Sequence, residues 1–151
     1  MRIVRATMND AEAIARNNLD LRLETEKVRM DADLVVQGVR SLIAHSDWGF
    51  YLLAKEKRQV VGQVMVTYEW SDWRNQSIWW LHRIYVNKKW RRRGVFKQLF
   101  QRLKREAERN NVYALRVYLH EDNSEAGAVY SHVGMERSPF LIFSLLVDHA
   151  G

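Results

Sequence analysis

The chain reads as one α/β (α+β) domain spanning residues 1–151, because three observations agree. Its 151 residues are 47% hydrophobic, enough for one sizeable core and too few for two. Short runs of β-forming residues alternate with stretches of helical period. A single proline, Pro139, and the absence of any repeat or Pro/Gly/Ser-rich stretch leave nowhere for a linker. The elements fall in the order β-α-α-β-β-β-α-β-α-β.

Ile3 to Ala6 suits a short strand, and Asn9 followed three residues later by Glu12 has the spacing of a capping box, opening a helix that carries Ala11, Ile14 and Ala15. A second helix starts near Asp33 and sets Val35, Val36, Val39, Leu42 and Ile43 on one stripe, with the polar stretch RLETEKVRMD between the two expected to be a loop. Phe50 to Ala54 and Val60 to Tyr68 read as antiparallel strands joined by the charged turn KEKRQ. After a turn in EWSDWRNQ, Ser77 to Val86 is apolar on both faces apart from His82 and Arg83, the mark of a central strand. Alternation puts Trp80, His82, Ile84 and Val86 on one side of it. Phe96, Leu99, Phe100, Leu103 and Ala107 then follow the spacing of an amphipathic helix that stops near Asn110 and Asn111. Val112 to Leu119 is a strand, Ala126, Val129, Tyr130 and Val133 mark a short helix ended by Gly134, and Phe140 to Val147 is expected to close the domain as a last strand.

With no cysteine, the chain has no disulfide, thiolate nucleophile or Cys-based zinc site, and its five histidines lack metal-ligand spacing. No metal is expected. No apolar run approaches the roughly 20 residues of a membrane span, and acidic residues interrupt the amino-terminal stretch MRIVRATMNDAEA, so no membrane partner and a cytoplasmic location are expected. The formal charge of +6 points to an anionic partner, and its excess is local: five of the six residues from Lys88 to Arg93 are basic.

A buried strand that runs into a tight basic turn, then into a helix opened by a glycine, is a device for gripping phosphate. Unpaired N–H groups and the positive end of the helix dipole face the ligand. In Arg91, Arg92, Arg93, Gly94, Val95, Phe96 the glycine permits close backbone approach and the arginines can neutralise a pyrophosphate or a 3′-phosphate. A solvated basic helix start is the alternative for such a run taken alone.

At RRRGVF, following IYVNKKW, the sequence resembles the acetyl-CoA signature of the GNAT (GCN5-related N-acetyltransferase) superfamily: Gln or Arg, two residues, Gly, one residue, Gly or Ala. Arg91 and Gly94 match, and Phe96 departs from the small third residue. Asn123, Ala126, Tyr130, Gly134 and Met135 separately resemble the family's later pattern, Asn-x-x-Ala-x-x-x-Tyr-x-x-x-Gly and a large apolar residue. Asn123 is suited to cap that helix.

The resemblance implies a central mixed, mostly antiparallel sheet flanked by about four helices. It implies acetyl-CoA as co-substrate, with its pantetheine arm pairing to the backbone of Ile84, Tyr85 and Val86. Arg91, Arg92, Arg93, Gly94, Val95 and Phe96 would hold the phosphates, with Asn123 and Tyr130 on the far side. The implied reaction is direct attack of an uncharged primary amine on the thioester, with an amide of Ile84 or Tyr85 polarising the carbonyl and Tyr130 as acid toward the departing thiolate. His82 is the first candidate base and Glu69 the second. A core histidine held by a hydrogen bond is the structural alternative for His82.

The acceptor stays open between a small molecule and a protein amine. Glu24, Glu26, Glu69 and Asp72 would suit a cation, and Trp70, Trp73, Trp79 and Trp80 an aromatic wall or simply core. Two other readings compete: a nucleic-acid-binding module using residues 88–93 with Trp90 to stack on a base, and a domain that binds CoA without turnover. The first explains the charge but not Asn123 and Tyr130, so nucleic acid is the disfavoured partner; a homodimer is compatible with everything above.

Overall fold

The computed structural model describes residues 1–147. Its centre is a meander of three strands: β2 (Gly49–Glu56), β3 (Gln59–Ser71) and β4 (Gln76–Val86). β2 and β3 pair antiparallel from Gly49↔Thr67 to Glu56↔Gln59, closed by a turn in which Lys57 takes a positive φ of 54°. β3 and β4 pair antiparallel from Ser71↔Gln76 inward, with Asn75 at φ 52° in their turn. β1 (Arg2–Arg5) adds antiparallel to β2, and β5 (Ala114–Val117) adds parallel to β4, giving a sheet ordered β1-β2-β3-β4-β5. The parallel step is possible because helix α3 (Val95–Arg109) crosses over between β4 and β5.

Both faces of the sheet are covered, which explains why β2 and β3 carry apolar residues almost continuously. On one face α3 packs Leu99, Phe100 and Leu103 against Leu52, Val64, Val66 and Leu81. On the other, α1 (Ala11–Glu26) and α2 (Ala32–Ala44) pack Ile14, Ala15, Val39 and Leu42 against Tyr51, Leu53 and Val60. Glu106 of α3 receives Arg5 at 2.6 Å and Arg102 at 2.8 Å, so β1 is tied to that helix by a half-shielded ion network.

The expected α/β (α+β) class and the element order hold through α4 (Ser124–His132), with adjustments that have local causes. The capping box lies on Thr7 and Asp10 rather than Asn9 and Glu12: the Asp10 carboxylate accepts the Thr7 N–H at 2.9 Å, and the buried Asp10 also takes Lys55 at 2.6 Å. The stretch RLETE belongs to α1, because Leu, Arg and Glu are good helix formers, and the helix ends only where Lys27 turns left-handed at φ 57°. Asp31 caps α2 by accepting the N–H groups of Asp33 and Leu34. β3 continues through Ser71, and β5 is shorter than Val112 to Leu119 because Val112 donates back to Ala107 and the partner strand swerves away after Val117.

Phe140 to Val147 departs furthest from expectation. These residues join no strand among the described residues and lie exposed, although their composition is that of a buried strand. Met135 donates its N–H to the Tyr130 carbonyl and packs on the core; residues 136–147 after it are exposed and belong to no helix or strand.

Candidate active site

Strand β4 is where the sheet opens. Its register with β3 jumps from Met65↔His82 to Gln63↔Tyr85, so Arg83 and Ile84 together face Val64 across a β-bulge, and Arg83 takes a φ of 51°. A bulge leaves one residue without its ladder bonds and re-aims the strand. On the other side the pairing with β5 ends at Leu81↔Val117. From His82 to Val86 the β5-side backbone edge of β4 therefore has no strand partner among the described residues, and a cleft of about 1370 Å³ lies along it.

The bulge also corrects the expected alternation. Trp80 and His82 lie on the face of Met65 and Thr67, whereas Ile84 and Val86 pack into the α3 core, and Tyr85 takes the face toward α1. The sequence shows residue types but not an extra residue in a ladder, so a strict period of two placed Ile84 and Val86 on the wrong side.

What holds the bulge was not among the expected site residues. Gln63 is fully buried; its amide donates to the Arg83 carbonyl at 3.1 Å and to Asn18 Oδ1 at 2.7 Å, and its carbonyl accepts from Asn17 at 3.0 Å. One side chain thus fastens α1 to the displaced backbone of β4. A polar residue inside the apolar run VVGQVMV is the sequence signal that could have pointed to it.

At one end of the cleft the basic turn forms a concave run of backbone. Asn87 caps the turn Lys88–Trp90 by accepting the Lys89 N–H, Arg92 and Gly94 both take left-handed conformations at φ 64° and 77°, and α3 begins at Val95. The first helical bond runs from Gln98 N–H to the Gly94 carbonyl, so the amides of Val95, Phe96 and Lys97 have no partner within the helix. Open space faces Gly94: a Cβ placed there would meet nothing within 4 Å. Such a nest at a helix N-terminus is an anion site. The Phe96 ring turns away from it, toward Phe100 and Tyr130, with centroids 5.9 and 6.0 Å apart. Arg91 is the most constrained of the three arginines, donating to the Val86 carbonyl at 2.8 Å and to Glu24 at 3.0 Å, while Arg93 lies over the Trp90 ring.

Helix α4 forms the opposite wall. Asn123 caps it, its Oδ1 accepting the Ala126 N–H at 3.1 Å, and both Asn123 and Tyr130 line the cleft. Burial raises the pKa of the Tyr130 hydroxyl above its ordinary value, which keeps the proton in place across the physiological range.

His82 also lines the cleft. Its Nε2 lies 2.8 Å from Thr67 Oγ1, and burial first, then the nearby Arg83 charge, lowers its pKa below the ordinary value. Glu69 stands on the same face but outside the cleft lining; it accepts from Trp80 Nε1 at 2.8 Å and lies 3.7 Å from Arg116, so both oxygens are engaged. Trp80 stacks obliquely on Tyr118 at 4.5 Å, and the same tyrosine ring reaches His82 at 5.9 Å. Tyr118 was not foreseen as part of this cluster, being one aromatic among many in a strand.

The four tryptophans do not form a wall: Trp79 is core, Trp80 lies in the cluster, and Trp70 and Trp73 are exposed, the latter at 94%. Of the acids, Glu24 and Glu26 line the cleft and Asp72 does not, while Glu24 is already engaged by Arg91, Lys88 and the Tyr85 hydroxyl. No group of metal-ligating side chains occurs among the described residues, and no helix there is long and apolar enough to cross a membrane.

Solved structures of other proteins share this fold. A crystal structure of a possible acetyltransferase from Clostridium difficile 630 is 35% identical and superposes with a TM-score of 0.92 over 98% of both chains. A probable acetyltransferase is 24% identical with a TM-score of 0.85, covering 99% of this chain and 100% of that one. An aminoglycoside acetyltransferase from an uncultured soil metagenomic sample is 22% identical with a TM-score of 0.77, covering 97% and 98%; at that distance these last two speak for the fold alone. No curated protein matches significantly. The sequence pattern of the acetyltransferase (GNAT) family matches residues 20–135, and the chain belongs to that family.

Proposed function

We propose that the protein is an acetyl-CoA-dependent N-acetyltransferase that modifies a primary amine by direct transfer. The observation that carries the reading is the open edge of β4 between a helix N-terminal anion nest and Tyr130. The donor supplies an acetyl thioester on a long polar arm that ends in phosphates. The residues present suit each part: the amides of Val95, Phe96 and Lys97 with Arg92 and Arg93 suit the phosphates, and the β5-side edge of β4 from Ile84 to Val86, which has no strand partner among the described residues, suits a hydrogen-bonded arm laid down as an added strand.

The chain's own groups then divide the chemistry. An amide at the bulge, that of Ile84 or Tyr85, would donate to the thioester oxygen as charge builds there; the register jump beside these residues supports the choice. Tyr130, held protonated by burial, gives its proton or a hydrogen bond to the departing sulfur. His82, held neutral by burial, takes the proton that the attacking nitrogen must lose, with Thr67 fixing the ring. Glu69 then orients Trp80 and Arg116 at the edge of the acceptor space rather than serving as base. Because α1 and the β4–β5 opening bound that space, the acceptor is a small molecule or a flexible segment of a protein bearing an amine. Neither a metal nor nucleic acid has a part in this reading.

The test is thiol release from acetyl-CoA across a panel of polyamines, amino acids, aminoglycosides and peptide amines. At least one acceptor should give turnover that Tyr130→Phe reduces. Stoichiometric binding of acetyl-CoA with no turnover on any amine would instead make the chain a CoA-binding domain.

A further inference from the structure

The acceptor end of the cleft holds a positive charge that no carboxylate of the described residues offsets. Tyr51, Met65 and His82 sit side by side in register across β2, β3 and β4, on the sheet face covered by α1 and α2. Asn18, Arg22 and Thr25, which share one face of α1, line the same cleft. Arg83 joins them from the bulge. It lines the cleft with an exposed side chain and holds a φ of 51°, a conformation that a non-glycine residue keeps only where its surroundings impose it. The buried Gln63 helps to impose it here, because its amide donates to the Arg83 carbonyl at 3.1 Å. An uncommon backbone conformation kept beneath an unpaired cation points to a ligand.

The acids nearby are already neutralised. Glu26 pairs with Arg22 on α1, and Glu24 pairs with Arg91 and Lys88 at the phosphate end. The third carboxylate lining the cleft, Glu125, belongs to the opposite wall, α4. Arg83 acts instead on the polar groups beside it. Burial first, and then its charge, lower the pKa of His82; the Tyr51 hydroxyl, whose pKa burial raises, is drawn the other way by a hydrogen bond from Asn18 and by Arg83. A polycation entering here would be repelled, whereas an amine that brings its own negative charge would be held.

We propose that the acceptor is a small amino carboxylate, an amino acid or a close relative, whose carboxylate pairs with Arg83 while its amine lies at His82. This rests on the reading of the chain as an N-acetyltransferase. His82 and Arg83 are consecutive residues, so one small molecule spans the base and the guanidinium, and the arginine fork matches a carboxylate with two parallel hydrogen bonds. In the transfer the acceptor nitrogen bonds to the acetyl carbon and the C–S bond breaks. The nitrogen gives its proton to His82, the sulfur takes one from Tyr130, and exchange with water restores both residues. The carboxylate is unchanged and serves only to place the amine.

The full chain is assayed for thiol release from acetyl-CoA with the common amino acids, and with each amine whose carboxylate is replaced by hydrogen or by a carboxamide. One replacement makes the amine more basic and the other less, so basicity cannot explain a preference over both. For the amino acid turned over best, kcat/KM should exceed that of both partners by about a hundredfold, mainly through KM. Arg83→Gln should shrink that preference to less than about tenfold, and Arg83→Lys should retain part of it. The reading is a ratio between substrates of one variant, so a loss of folded protein cancels. Faster turnover of polyamines, aminoglycosides or the carboxylate-free amines by the native chain would overturn this proposal and leave the acetyltransferase reading intact. A preference for amino acids that Arg83→Gln leaves unchanged would overturn it as well. No turnover with any amine would overturn both.

Discussion

Two side chains carry the proposed proton movements, and each can be tested alone. Tyr130→Phe keeps the ring against Phe96 and removes only the hydroxyl, so kcat should fall about a hundredfold while acetyl-CoA affinity is nearly unchanged. Equal turnover would return Tyr130 to a packing role. For His82 the direction of the shift sets the pH window. With its pKa below the ordinary 6.5, the base is already neutral at pH 7, so its rising limb in kcat/KM should lie below about pH 6.5 and vanish in His82→Gln. A limb above pH 7 belongs to the acceptor and should move between two amines of different basicity. The unfolded chain binds this proton more readily than the folded one, so stability falls as pH drops below about 6.5. That Asn123, Tyr130 and His82 line one cleft was legible in the sequence, the first two through the family resemblance and His82 as a lone histidine in an apolar strand. Tyr118 and Gln63 were not, since their roles arise from contacts made across strands.

The decisive elements are the bulged strand and the helix start beside it. Gln63→Leu would take away the buried partner of the half-buried Asn17 and Asn18 and of the Arg83 carbonyl, at about 1–3 kcal/mol in total because these groups can in part turn to water. Denaturant unfolding should register that loss, and kcat should drop more than the KM for acetyl-CoA rises, because the bulge is displaced while the anion nest remains. Gly94→Val acts on the nest: a β-branched residue is strained at φ 77°, and its side chain would fill the open space that faces the loop. Acetyl-CoA affinity should fall at least tenfold with little change in kcat at saturation; an unchanged dissociation constant would remove the phosphates from this loop. The nest was half legible ahead of the structure: glycine after arginines before an amphipathic helix suits an anion site or a solvated helix start, and the left-handed Arg92 and Gly94 give the run its concave shape. A bulge has no such signature, and the exchange of faces at Arg83 came with it.

For the whole molecule, hydrophobic period and β-forming runs were enough to order nine elements: α1 to α3 and β1 to β5 each set apolar residues against the core, and α4, which has no buried residue, was marked by Asn123 before it and Gly134 after it. The tenth shows the limit of that reasoning. FLIFSLLV has the composition of a buried strand, but composition does not say whose sheet it enters, and within one chain it enters none among the described residues. The overall charge of +6 follows the same rule: its meaning lies in the clustering at 88–93, where Lys88 and Arg91 are already engaged by Glu24. The central claim is that this cluster and the open edge of β4 together bind acetyl-CoA. Calorimetric titration of the full chain with acetyl-CoA at low and at physiological salt tests it directly. The account predicts one saturable site per chain whose affinity weakens as salt rises, through screening of Arg92 and Arg93. No saturable binding of acetyl-CoA, with tight binding of a short oligonucleotide in the same buffer, would contradict it.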